Sequence, residues 1–273
     1  MSELKPGDVE FSIFPKPQLL VGKGKVTENI VEDLNNMCDD MLADPETPSY
    51  ADQLVGEIHK GSQLQVDTMD KRFKKFKKLL KDATNIYINH YFESVNTTPI
   101  PYHLEVDDVW TVHQFEGDYN PLHDHGVLTP GGLSMILYLQ VPECIASSPD
   151  PDDRGGQIWF NDHSGNVDGF TYFIWDNKNQ DMLRKLHPVS EEYFKPKVGS
   201  LLIFPNWLKH AVMPFYGEGE RRTLAANANI ISPEMFNWKD ASEEERQQLL
   251  NTIRGNRYRY GGGGGGLGAK TKD

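Results

Sequence analysis

The sequence has 273 residues, 38% hydrophobic and 11% aromatic, which is enough for one sizeable core or a core with an added helical layer. Lys and Arg total 28 against 40 Asp and Glu, a formal charge of −12, and no basic stripe occurs that would neutralise phosphates, so nucleic acid is not an expected partner. Cys38 and Cys144 lack any CxxC partner, which excludes a disulfide framework and a zinc ribbon and leaves both expected as small buried hydrophobes. The opening Met1-Ser2-Glu3-Leu4 carries no basic-then-apolar signal, and no run approaches the roughly 18 apolar residues of a membrane span. With a mean hydropathy of −0.57, the expectation is a soluble, cytoplasmic protein with no membrane partner.

In chain order, residues 9–22 read as an extended edge strand, because Pro15 and Pro17 forbid helix and the apolar positions alternate. From Val26 to about Leu42, Ile30, Val31, Leu34, Met37 and Met41 recur at three and four, an amphipathic helix with Thr27 available as cap. A second helix spans Asp67 to Phe92 through Met69, Phe73, Phe76, Leu79, Leu80, Ala83, Ile86 and Ile88, and its basic run KKFKK is a solvated face.

After Pro101 short β-type runs follow at Val109–Phe115, Leu133–Val141, Gln157–Phe160, Phe170–Trp175, Ser200–Phe204, His210–Pro214 and Arg221–Ile230, broken by Gly, Pro, Asn and Asp. This spacing predicts a mainly β protein with flanking helices (α+β), built as a jelly roll. Ala241–Arg254 is a closing helix with Ser242 as cap. The expected organisation is one domain over 1–258, with supporting elements in 1–100, the β core in 101–232 and a terminal helix in 233–258. Residues 259–273, with Gly261 to Gly266, form a flexible tail.

Chemistry concentrates at two places. In Asn120-Pro121-Leu122-His123-Asp124-His125, an extended backbone turns His123 and His125 to one side and Asp124 to the other. A bulge there would turn Asp124 inward instead. His210, after the apolar strand 201–204 and a turn, offers a third imidazole. Three protein ligands on one face leave positions open for O₂ and a bidentate cosubstrate, as redox chemistry at iron requires and a closed zinc site does not. For His59, His90, His103, His113, His163 and His187 the expectation is an ordinary satisfied polar residue.

The second place is 221–230. Period two sorts Arg221, Thr223, Ala225, Asn227 and Asn229 to one face and Leu224, Ala226, Ala228 and Ile230 to the other. An Arg beside a hydroxyl inside a barrel suits a carboxylate, since guanidinium is a planar two-pronged donor. Arg222 reads as a surface residue near the turn at Gly217 and Gly219.

HDH (123–125), LSMILYL (133–139), LLIFPNWLKHAVMP (201–214) and RRTLAAN (221–227), in this order over about 115 residues, resemble the 2-oxoglutarate/Fe(II)-dependent oxygenase superfamily, in particular its branch with an HxH first motif. The resemblance implies a double-stranded β-helix, cupin-like, with His123, His125 and His210 as iron ligands and Arg221 as partner of the distal carboxylate of 2-oxoglutarate. It places Thr223 where the family has a serine, and Tyr138 where a tyrosine contacts the cosubstrate. The alternative for Tyr138 is a strand aromatic whose hydroxyl finds a carbonyl. The usual carboxylate ligand is replaced by His125, so iron keeps its full double charge for the dianion to neutralise.

The implied activity is a dioxygenase that uses Fe(II), 2-oxoglutarate and O₂ to hydroxylate a protein side chain or a metabolite, releasing succinate and CO₂. A three-histidine cupin-type dioxygenase without cosubstrate, and a non-catalytic jelly-roll binding module, are the rivals; a homodimer is left open. Trp207 is expected in core or lid packing, with the substrate mouth as its alternative.

Overall fold

The computed structural model of the chain describes residues 9–16, 19–95, 97–125, 132–149, 167–175, 191–234 and 236–260. The expected strand at 157–160, the Gly-rich tail, His163 and His187 lie outside these.

At the N-terminus the single expected strand is two. β1 (Val9–Lys16) turns back into β2 (Leu19–Val26), with Val9 opposite Val26 and Lys16 opposite Leu19. Pro15 lies within β1 opposite Leu20, which the sheet tolerates because β1 is its edge strand.

Helix α1 (Glu28–Ala43) buries Ile30, Val31, Leu34, Met37 and Cys38. Thr27 holds the N-cap position, but its hydroxyl donates to Asn29 Oδ1 and caps nothing. Helix α2 (Lys71–Ser94) starts four residues later than its periodicity suggests, because the Asp70 carboxylate accepts from the Arg72 amide and fixes the first turn there. Phe73, Phe76, Leu79, Leu80, Ala83, Tyr87 and Ile88 form its buried stripe. The KKFKK face is partly ion-paired: Lys77 reaches Glu105 at 2.9 Å and Lys75 reaches Asp33 at 3.6 Å.

The strands that follow are β3 (Ser62–Gln65), β4 (His103–Gln114), β5 (Asn120–His123), β6 (Gly132–Gln140), β7 (Thr171–Ile174), β8 (Glu191–Phe194), β9 (Ser200–Pro205), β10 (Lys209–Val212) and β11 (Arg221–Ile231). A short helix α3 (Glu143–Ala146) follows β6, and α4 (Glu243–Tyr260) closes the described chain. In α4, Ser242 and Glu245 form a reciprocal cap, the Ser242 amide donating to Glu245 Oε2 and the Glu245 amide to Ser242 Oγ.

A seven-stranded sheet in the order β1-β2-β9-β6-β11-β4-β3 faces a four-stranded sheet in the order β5-β10-β7-β8, and every pairing is antiparallel. From β4 to β11 the chain passes repeatedly between the two sheets, which is the double-stranded β-helix, or jelly roll. Strands β1–β3 only widen the large sheet. Ser62–Gln65 was not expected as a strand, being short and polar enough to read as loop.

The helices cover the outer face of the large sheet. Leu34, Phe73, Phe76 and Leu80 pack there on Leu133, Leu137, Leu224, Ala226 and Ala228. Between the sheets lies a second cluster of Val21, Ile136, Tyr138, Phe173, Leu202, Phe204 and Leu208. Strand β6 contributes to both, so it is apolar on both faces and its sequence lacks the usual alternation. No helix among the described residues is long and apolar enough to cross a membrane.

Two surface expectations fail. Arg222 is 4% exposed and points outward from β11 into the helical layer. It pairs with Glu220 (2.7 Å) and Asp39 (2.8 Å) and donates to Asn35 Oδ1 (3.1 Å). Of the cysteines, Cys38 is buried beside this network, its thiol pushed up to about 12 by burial, whereas Cys144 is partly exposed.

Burial alone would raise the Glu220 carboxyl, but hydrogen bonds from His113 and Arg222 outweigh it and take the group down to about 2. A depressed carboxylate stabilises the fold fully above its unfolded value, about 4.5, and loses that contribution as pH falls towards 2. Glu220→Gln should lower Tm at pH 7, at a cost of about 3 kcal/mol for a broken buried pair. It should also flatten the fall in Tm between about pH 4.5 and 2, measured by calorimetry; parallel curves for the two proteins would contradict this.

Candidate functional site

Pairing between β5 and β10 builds the site. His123 and His210 are direct cross-strand partners on the small sheet, and their ring centroids lie 4.3 Å apart. His125 follows just past the end of β5, where its amide donates to the Asn206 carbonyl (2.8 Å) in the turn before β10. Its ring then lies 5.4 Å from His123 and 5.0 Å from His210. One ring nitrogen from each of the three lies within 4.8 Å of the others.

Each Nδ1 is already held. His123 Nδ1 donates to the Pro121 carbonyl (2.7 Å), His210 Nδ1 to the Leu208 carbonyl (3.0 Å) and His125 Nδ1 to Asn227 Oδ1 (2.8 Å), with Ser134 Oγ at 2.9 Å from the same nitrogen. Carbonyl acceptors fix the tautomer with the proton on Nδ1, which leaves the lone pair on Nε2. Burial, and then the neighbouring His123 and His125, hold the His210 imidazole well below its ordinary range, and burial lowers His123 as well. Three imidazoles that each bring a ring nitrogen within 4.8 Å of the others fit a divalent ion of borderline softness such as Fe(II).

Asp124 does not turn inward. Its carboxylate pairs with Lys209 (3.2 Å), the residue beside His210, and His125 takes the place at the cluster. Trp110 lies against His125 at 5.8 Å, stacked in turn on Tyr50 at 5.7 Å. Trp207, expected in core or lid packing, is 44% exposed in the β9–β10 turn.

Deeper in the barrel, Arg221 is 1% exposed. Its Nε donates to the Gly169 carbonyl (2.9 Å), Nη1 to Gln114 Oε1 (2.6 Å) and Nη2 to Thr171 Oγ1 (3.3 Å), and its guanidinium lies over the Tyr138 ring at 5.3 Å. Every one of these acceptors is neutral. Among the described residues no carboxylate pairs with Arg221; its other polar partner is the neutral Tyr138 hydroxyl. A cation sealed away from water without a counter-charge is costly, and burial already pulls the Arg221 group down. The cavity chemistry therefore asks for an anion.

Tyr138 is 1% exposed, and its hydroxyl shares a 2.6 Å hydrogen bond with Thr171 Oγ1, not with a carbonyl. Thr223 is buried opposite Tyr138 on β11, two residues from Arg221. Reading by residue type missed the neutral partners Gln114, Thr171 and Gly169, and it sorted Asn227 to the inner face without giving it a role. No motif singles out a Gln or Thr on a neighbouring strand; only the antiparallel register that sets Gln114 opposite Arg221 does. The remaining histidines among the described residues are satisfied: His113 meets Glu220 (2.7 Å) and Thr111 (2.9 Å), His103 meets Glu105 (3.3 Å), and the exposed His59 and His90 face Glu57 and Glu93.

Residues 108–227, which carry both halves of this site, match the family described as "Putative 2OG-Fe(II) oxygenase". No curated protein matches the chain. Among solved structures, a Pseudomonas putida prolyl-4-hydroxylase is 13% identical, covering 81% of this chain and 92% of its own, with a TM-score of 0.45. A prolyl hydroxylase from Trichoplax adhaerens, in complex with a hypoxia inducible factor oxygen degradation domain peptide, is 11% identical over 85% of this chain and 87% of its own, TM-score 0.47. HygX from Streptomyces hygroscopicus, with iron bound, is 10% identical over 81% and 82%, TM-score 0.43. Identity this low transfers neither substrate nor residue roles.

The hydrogen bond from His125 to Asn227 gives a direct test of how the site is built. Asn227→Ala should weaken Co(II) or Fe(II) binding about 10- to 100-fold, since the partners that orient a ligand imidazole are worth that much. Equilibrium dialysis checks it, and an unchanged affinity would separate Asn227 from the metal site.

Proposed function

We propose that this chain, whose residues 108–227 match the family described as "Putative 2OG-Fe(II) oxygenase", is a dioxygenase that couples oxidative decarboxylation of 2-oxoglutarate to hydroxylation of an organic substrate. His123, His125 and His210 hold the iron, and Arg221 takes the distal carboxylate of the cosubstrate. The observation that carries this reading is the buried Arg221 surrounded by neutral acceptors alone. A dicarboxylate that chelates the metal at one end and meets Arg221 at the other supplies the missing counter-charge. It also balances the double charge that three neutral imidazoles leave on the ion.

In this reading each side chain has a limited task. The three imidazoles, locked by their Nδ1 bonds, keep the metal's other positions open. Arg221, fixed by Gln114 and Thr171, orients the cosubstrate, and Tyr138 and Thr223 line the space between the anchor and the metal. The surrounding Trp110, Ala225 and Val112 exclude water from the reacting centre. When bound, iron supplies the redox chemistry that reduces O₂ as 2-oxoglutarate loses CO₂ and the substrate is oxidised.

Protein given Fe(II) and 2-oxoglutarate without oxygen should develop a visible charge-transfer band. Retained iron with no band would sink the cosubstrate claim, and turnover without succinate would favour a three-histidine dioxygenase that needs none. Gln114→Glu sharpens the electrostatic argument: it puts a carboxylate on Arg221 and should raise the 2-oxoglutarate Kd about tenfold or more, while metal binding is kept. His210→Ala should abolish activity with little change in Tm of the metal-free protein. A large loss of metal-dependent Tm with no activity in either form would favour a structural ion.

A further inference from the structure

The neutral chain that holds Arg221 continues. Gln114 gives Oε1 to Arg221 and donates from Nε2 to Asn120 Oδ1 (3.0 Å), and Asn120 opens β5 three residues before His123. That bond fixes which way the Asn120 carboxamide points, so its Nδ2 donor is the end turned away from Gln114. It turns towards Gln63. Residue 63 stands opposite Val112 on β4 and shares its face, the one that Val112, Trp110 and Ala225 present to the barrel interior beside His125. Gln63 is 2% exposed, and among the described residues neither its Oε1 nor its Nε2 has a hydrogen-bond partner.

The two carboxamides meet over Gly56, in the seam where the β3 edge of the large sheet faces β5. Residues 57 and 119 close that seam with reciprocal backbone hydrogen bonds (2.9 and 3.3 Å). A methyl group at position 56 would lie 2.6 Å from Gln63 Nε2, 3.0 Å from Gln63 Oε1 and 2.9 Å from Asn120 Nδ2. Glycine is what lets both amides stand there. Buried carboxamides are normally paired, so an inward-facing one with donor and acceptor both unused asks for a ligand that presents both.

Resting on the site reading above, we propose that Gln63 and Asn120 form the substrate-recognition subsite, and that it takes an uncharged planar group carrying a C=O and an N–H on one edge, a primary carboxamide or a lactam. Gln63 pairs with that edge through both amide atoms, and Asn120 Nδ2 donates to the same carbonyl. The neighbouring Trp110 gives the plane an apolar wall beside the metal site. Nothing charged is required, which fits the absence of carboxylate or cation partners on these two side chains among the described residues.

The test uses the full chain, ¹⁵N-labelled and loaded with Zn(II), with the Gln63 side-chain NH₂ pair identified by its loss in Gln63→Glu. Adding 2-pyrrolidone or acetamide should shift the Gln63 and Asn120 NH₂ signals with saturation; γ-butyrolactone, the same shape as pyrrolidone with the carbonyl but without the N–H, should bind far more weakly. The stronger of the two amides tells whether the natural group is cyclic or open. Gln63→Leu should weaken probe binding at least tenfold while raising Tm, because a buried amide without a partner is replaced by an apolar side chain of similar size. Gly56→Ala, which displaces both amides, should weaken the probe as well. NH₂ signals that stay still, equal shifts with the lactone, or a Gln63→Leu protein that binds the probe as before would overturn the proposal. The anaerobic 2-oxoglutarate band of the iron-loaded Gln63→Leu protein is a separate readout, expected within about twofold of the wild type in affinity; its absence from the wild type as well would fault the cosubstrate reading and not the subsite.

Discussion

The antiparallel pairing of β5 with β10 is the constraint from which the site follows. Two short strands of the small sheet, only four residues each, must hold three rings that the covalent chain separates by 85 positions or more on one side. They do so with backbone: the His123–His210 pair lies within the ladder, and the His125 amide on the Asn206 carbonyl extends the pairing past the strand end. Side-chain rotation is then removed by the Nδ1 bonds. Imidazoles tethered in this way need less reorganisation on binding an ion.

Strand β11 does comparable work in the large sheet. Its inner face carries Arg221 and Asn227, which serve the two ends of the site, and its outer face carries Leu224, Ala226 and Ala228 into the helical core. The outer residues are apolar because they belong to the core shared with α1 and α2, and the inner ones polar because partners wait for them. The ladder bulges between Asn227 and Ala228 opposite β4, and between Arg222 and Thr223 opposite β6, so the register is adjusted at both functional ends.

Much of this was legible in the sequence because period two and period 3.6 are local. The alternation in 221–230, the HxH pair and the buried stripes of α1 and α2 are read without knowing any neighbour. What stayed hidden was set by partners distant in sequence. Arg222 looked like a turn residue until α1 brought Asp39 and Asn35 to it, and Glu220 came from its own turn. Ser62–Gln65 has no apolar alternation, and only the β4 edge makes it a strand. Gln114 and Thr171 carry no chemical signature; their importance arises from lying beside a guanidinium that cannot reach water. Pro15 misled in a different way, since it rules out helix without saying how many strands the stretch makes.

Adjacent arginines on β11 point in opposite directions, one into the barrel and one into the helices. The peptide bond between them couples the two compartments mechanically. Arg222 is moored to α1 through Asp39 and Asn35, so any shift of that helix along the sheet pulls on the residue that precedes it as well. A fragment trimmed to the stretch 108–227 would keep all three clustered imidazoles, yet it would strand Arg222 without Asp39 and Asn35 and leave Leu224, Ala226 and Ala228 facing water. The helical layer is thus the splint that holds Arg221 at its depth in the barrel, and shortening the protein from its front end loosens that guanidinium before it disturbs the histidines.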